Sequence, residues 1–99
     1  KKEIASMRSD AILINTARGA LVDEDALADA LIEKRIYAAG FDVYEYEPVI
    51  NQKLFALNNA VLLPHIGSAA EETRAEMAEM TINGCLSVLE GKKPANSVN

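Results

Sequence analysis

One cysteine among 99 residues leaves no internal disulfide to form, so a disulfide scaffold is excluded and a reducing, cytoplasmic setting is expected. Cys85 stands among apolar residues at helical spacing, which predicts packing for it and not catalysis. No basic excess exists: ten Lys and Arg face fifteen Asp and Glu, for a net charge of −5. That balance lacks the footprint a nucleic-acid partner needs. No apolar run is long enough to span a membrane, no signal-like segment is visible, and neither an internal repeat nor a low-complexity stretch occurs. The glycines never fall into a phosphate-cradling loop, so no carrier motif lies within these residues. Histidine occurs once.

What is present reads as alternating strands and helices. Ala11, Ile12, Leu13 and Ile14 form a short unbroken apolar run, the pattern of a parallel strand with helices packed on both faces. Asn15 to Gly19 is then the loop at its carboxyl end, the edge where open α/β sheets bind ligands. Asp23 is a good N-cap, Glu24 and Asp25 suit the positive end of a helix, and Val22 with Leu27 is spaced as a hydrophobic staple. This helix is predicted to reach about Lys34, with Leu27, Ala30 and Leu31 as its buried stripe. Ala38 to Val43 is the second strand, which makes a βαβ unit. Tyr44 to Asn59 is a polar connection with at most one helical turn near Lys53 to Leu57, and Ala60 to Leu63 is a third strand. Ser68 and Glu71 have capping-box spacing, predicting a long helix to about Glu90, stopped by Gly91 and Pro94. The chain opens in a helix over Lys1 to Met7 and closes on a polar tail, Pro94 to Asn99. A sheet this small would leave apolar surface uncovered, so the chain is expected to be a piece of a larger protein. Residues 1–91 would form the second half of a dinucleotide-binding domain, and 92–99 would lead toward a substrate domain.

Polar residues follow the three strands in turn: Arg18, then Asp42 with Glu45 and Glu47, then His65. Parallel strands bring such ends to one edge. A guanidinium can fork onto a carboxylate, an imidazole can exchange a proton near neutral pH, and a carboxylate on the other ring nitrogen would fix the tautomer. The set suits interconversion of a 2-oxo and a 2-hydroxy acid, given a hydride carrier. Plainer readings are available for each residue. Arg18 could pair with a neighbouring acid, His65 could be structural, Asp42 could form a turn, and Glu45 and Glu47 could be solvated.

Four motifs, Ile14-Asn-Thr-Ala-Arg-Gly19, Val22-Asp-Glu-Asp-Ala-Leu27, Gly40-Phe-Asp-Val-Tyr-Glu-Tyr-Glu-Pro48 and Pro64-His-Ile-Gly-Ser68, resemble in order and spacing the NAD(P)-dependent D-2-hydroxyacid dehydrogenases. The resemblance covers essentially the whole chain and implies a Rossmann-like α/β fold. It further implies that Arg18 binds the substrate carboxylate and carbonyl oxygen, that His65 is the acid/base, and that Glu47 orients it, with Glu45 structural. Thr16, Ala17, Arg18, Asp42, His65 and Gly67 would line an NAD or NADP site, and no metal is implied. His65-Ile-Gly-Ser68 and Glu72-Thr-Arg74 look most like the glyoxylate and hydroxypyruvate reductase branch. Formate dehydrogenases usually carry glutamine where Glu47 stands, and phosphoglycerate and lactate dehydrogenases differ after the histidine. The expected partner is a small 2-oxo or 2-hydroxy acid, with a homodimer as the assembly and no nucleic acid or membrane. The alternatives are an NAD-sensing corepressor or scaffold on the same fold, whose usual bulky residues after the histidine are not matched by Ile66-Gly67-Ser68, another member of the family such as a phosphoglycerate dehydrogenase, and a short chain that is itself a binding or dimerisation module.

Overall fold

The computed structural model describes residues 1–98, which form two compact units divided between Ile66 and Gly67. Asn99, the last residue of the expected tail, lies outside the described residues.

The first unit runs α1 (Lys2–Ala5), β1 (Ile12–Asn15), α2 (Glu24–Ile32), β2 (Ala38–Phe41), α3 (Gln52–Phe55) and β3 (Ala60–Leu62). Its sheet has three parallel strands in the order β1-β2-β3, with Leu13 beside Ala39 and Phe41 beside Leu62. Those in-register residues share one face. There they meet Leu27, Ala30 and Leu31 of α2 and Leu54 of α3 in a single apolar cluster. Leu27, Leu31, Phe41 and Leu54 are almost fully buried, and each contributes on the order of 1.5–3 kcal/mol by leaving water.

The opening helix is shorter than predicted, Lys2–Ala5, because the chain turns at Ser6. A sheet this small is expected to leave apolar surface uncovered, and it does. Within this unit α2 and α3 cover one face only, while Ile12, Ile14, Val61 and Leu63 stay exposed on the other. An apolar run cannot by itself distinguish a strand covered twice from one covered once. Together with Gly40 and Phe41 these residues line a shallow apolar hollow of about 420 Å³ that reaches Thr16 and Asp42 at the carboxyl edge.

Helix α2 begins as expected, with Asp23 Oδ1 accepting from the Ala26 N–H at 2.8 Å. It ends at Ile32, before Lys34. Lys34 adopts φ 55°, and the bonds Lys34 N–H to Leu31 O and Arg35 N–H to Ala30 O close a Schellman turn. The second unit ends its helix in the same way. α4 (Glu71–Leu89) closes with Gly91 at φ 72° and Lys92 N–H donating to Ser87 O. At its start the prediction fails. The N-cap is Ala70 and no side chain caps it, so Ser68 lies too early for the expected capping box. Cys85, expected to pack, is exposed, because α4 buries none of its residues. Ser97 N–H donates to Pro94 O, so the tail makes a turn. No helix among the described residues is long and apolar enough to cross a membrane.

Gly19 is the more tightly packed of the two glycines in the first unit. A Cβ built there would overlap the backbone carbonyl of Tyr44 and the nitrogen of Glu45. Since backbone cannot retreat as a flexible side chain can, Gly19→Ala should cost at least about 1–3 kcal/mol. Chemical denaturation checks this. A variant as stable as the parent would show that the close approach is not enforced.

Candidate functional site at the carboxyl edge of the sheet

Three loops leave the carboxyl ends of the strands and are tied to one another. Asp42 N–H donates to Asn15 O and Leu63 N–H donates to Phe41 O, so the ladder continues one step beyond the strands. The first loop is shaped by buried Asn15. Its Oδ1 accepts from Ala17 N–H at 3.2 Å and its Nδ2 donates to Arg18 O at 2.9 Å. This turn leaves Thr16, Ala17 and Arg18 on the surface. The Arg18 guanidinium donates to Ala17 O at 2.6 Å.

The second loop starts at buried Asp42, whose Oδ1 accepts from Ile66 N–H at 2.8 Å. Tyr44 follows and faces two ways. Its hydroxyl donates to Leu63 O at 2.7 Å, and its backbone N–H donates to Glu47 Oε1 at 2.9 Å. Burial pushes the Tyr44 phenol above its ordinary range, with the charges of Asp42 and Glu24 adding to the effect and the bond to Leu63 opposing it.

The third loop carries His65, held in the left-handed region at φ 56°. A non-glycine residue there is strained by on the order of 1–3 kcal/mol and persists only where its surroundings enforce it. Asp42 fixes the peptide after it, and Glu47 Oε2 lies 2.8 Å from its ring Nδ1. The hydrogen bond from His65 lowers the Glu47 carboxyl below the usual glutamate range, helped by the Tyr44 N–H and by the charges of His65 and Arg18, while partial burial opposes the shift. An ionised carboxylate can only accept, so the proton on this contact sits on Nδ1 and Nε2 is the atom left for proton exchange.

The structure therefore brings Glu47 and His65 into contact, with Arg18 near enough for its charge to act on Glu47. Glu45 does not reach the histidine; its backbone N–H is bound by Glu24 Oε1 at 2.6 Å. Gly67 begins the second unit, and its placement against the other residues is not part of this geometry. Sequence reasoning missed three contributors: Asn15 as the turn former, Tyr44 as the tie between loops, and Glu24, assigned only a helix-end role. Asn at the end of an apolar run, opening the loop to Gly19, was a usable signal for the first. The other two act on groups 19 and 21 residues away, and nothing local marks them.

Residues 1–67 match the family profile described as D-isomer specific 2-hydroxyacid dehydrogenase, NAD binding domain. The chain belongs to this family. It is 50% identical over 99 residues to a glyoxylate reductase of Thermococcus litoralis. It is 47% identical over 100 residues to glyoxylate/hydroxypyruvate reductase B of Pectobacterium atrosepticum. All of the chain is covered in both cases, but only 30% and 31% of those relatives. Among solved structures, a glyoxylate reductase from Paecilomyes thermophila superposes with TM-score 0.87 at 43% identity, covering 93% of this chain and 28% of that one. The NADPH-dependent glyoxylate/hydroxypyruvate reductase of Sinorhizobium meliloti, solved with NADP and malonate, gives 0.79 at 37%, covering 85% and 26%. The fold is thus close to that of the Rossmann-like NAD-binding domains of 2-hydroxyacid dehydrogenases.

The depressed Glu47 value has a testable consequence. A carboxyl group whose value is lower in the folded than in the unfolded chain stabilises the fold above the unfolded value and ceases to do so as pH falls through the folded one. In a carbon-13 titration the Glu47 carboxyl should have its midpoint below the ordinary glutamate range, and His65 should lose its partner as Glu47 protonates. A midpoint at or above that range would contradict the contact.

Proposed function

We propose that this chain forms part of an oxidoreductase that reduces a small 2-oxo acid to the corresponding D-2-hydroxy acid, with glyoxylate or hydroxypyruvate as substrate. The observation that carries this reading is the Glu47–His65 hydrogen bond at 2.8 Å, set beside the Arg18 loop at the carboxyl edge of a parallel sheet. Arg18 would leave its hydrogen bond to Ala17 and fork onto the substrate carboxylate and carbonyl oxygen, drawing electron density from the carbonyl carbon. His65 would hold a proton at Nε2 and release it to the carbonyl oxygen as the new C–H bond forms. Glu47, accepting from Nδ1, would stabilise the charged ring beforehand and keep the neutral tautomer afterwards.

The residues present fit the nicotinamide end of a dinucleotide. Thr16 and Asp42 border an apolar hollow able to take a flat ring beside polar groups, and Ala17 and Arg18 lie exposed next to it. When bound, NADH or NADPH would supply the hydride. We assign Thr16, Ala17, Arg18, Asp42 and His65 to this surface, and Gly67 to the cofactor on the family resemblance alone. A phosphate-binding glycine loop is not among these 99 residues, so turnover would need more than this segment. The proposal includes a cytoplasmic location and a homodimer, the latter supported by apolar side chains exposed along α4, including Met77, Ile82 and Leu86.

The test places these residues in the matching segment of the Thermococcus litoralis reductase. The chimera should oxidise NADH or NADPH in the presence of glyoxylate or hydroxypyruvate. His65→Gln in it should lower kcat by about 10²–10⁴-fold while cofactor binding persists. An active chimera that His65→Gln leaves unimpaired would remove the histidine from its role.

A further inference from the structure

Glu24 is the buried ionisable group that the mechanism above does not use. It is the first residue of α2, only 4% exposed, and the cap of that helix is already supplied by Asp23. Its carboxyl Oε1 instead accepts from the backbone N–H of Glu45 at 2.6 Å, in a loop 21 residues further along the chain. The peptide group it holds is Tyr44–Glu45. The carbonyl of that same peptide lies against Gly19, where no Cβ fits, so the peptide plane is fixed on its N–H side by a hydrogen bond and on its C=O side by packing. The N–H of Tyr44 in turn donates to Glu47 Oε1, and Glu47 Oε2 receives His65 Nδ1.

From this relay we propose that Glu24 is a positioning residue for the Glu47–His65 pair: it sets the Tyr44–Glu45 peptide, and through Tyr44 the carboxylate that holds the histidine. The role matters for catalysis only on the functional reading above, but the geometry it asserts exists without substrate or cofactor. Removing the acceptor leaves a loop N–H facing a buried, unfilled space, which the loop relieves by rotating the peptide. That rotation carries the Tyr44 N–H away from Glu47 and weakens one of the bonds that keep the Glu47 carboxyl ionised. Glutamine retains an oxygen acceptor at the same reach. Aspartate keeps the charge but falls one methylene short.

The experiment is a carbon-13 titration of the Glu47 carboxyl in the full 99-residue chain and in its Glu24→Gln, Glu24→Asp and Glu24→Ala variants. Circular dichroism and thermal melting are recorded beside it. Glu24→Gln is expected to keep the parent midpoint, and Glu24→Asp and Glu24→Ala to move it up toward the ordinary glutamate value. If Glu24→Ala does not fold, the Gln and Asp pair decides alone, since both retain a polar side chain at the helix start. A folded Glu24→Asp or Glu24→Ala chain with the parent midpoint would overturn the proposal, and so would a Gln variant displaced as far as the Asp variant. A merely structural clip would lower the melting temperature without moving the Glu47 midpoint. An inactive chimera would count against the functional reading alone, because no turnover enters this measurement.

Discussion

Parallel pairing in a fixed register is the constraint from which the site follows. Because Asn15, Phe41 and Leu62 close their strands side by side, the residues after them leave the sheet at one edge. The bonds Asp42 N–H to Asn15 O and Leu63 N–H to Phe41 O extend that alignment into the loops. A carboxylate and an imidazole 18 residues apart in sequence thereby come into contact, with the Arg18 charge acting on the carboxylate. A slip of one residue would turn every side chain of the slipped strand to the other face and separate them.

The loops at this edge are tied down by its buried polar groups. Asn15, Glu24 and Asp42 are the buried polar side chains among the described residues. Each accepts from a backbone N–H of a site loop, respectively Ala17, Glu45 and Ile66. A loop pressed against a sheet cannot satisfy its amides with water, and an orphaned one costs about 1–3 kcal/mol. These side chains remove that cost and fix the loop conformation at once. They also make the left-handed backbone of His65 tolerable, since the Asp42 bond to Ile66 holds the peptide that follows it.

Legibility in the sequence tracked the range of the interaction. Asp23 as a cap, the buried stripe of α2 and the three strands were readable because their signals lie within a few residues. Arg18, Asp42 and His65 were readable as strand-end residues. Preferring Glu47 over Glu45 needed the family resemblance, and the geometry has Glu47 at the imidazole while the Glu45 backbone is bound to Glu24. Less was legible where the outcome depended on what packs where. The exposed face bearing Ile14 and Val61, the exposure of Cys85 and the late start of α4 all turn on neighbours that a local pattern does not name. Glu24 was misread for the same reason, because a carboxylate at a helix start has a sufficient local explanation.

The central claim is that a carboxylate of this chain holds its single histidine by Nδ1–H. Two-bond proton–nitrogen correlation spectra of the imidazole, which needs no assignment because His65 is the one histidine present, read the tautomer directly at a pH where the ring is neutral. The expected result is a ring protonated at Nδ1, reverting to the Nε2–H form usual in free imidazole side chains when Glu47 is replaced by alanine. A predominantly Nε2–H ring in the parent chain, unchanged by that replacement, would contradict the account.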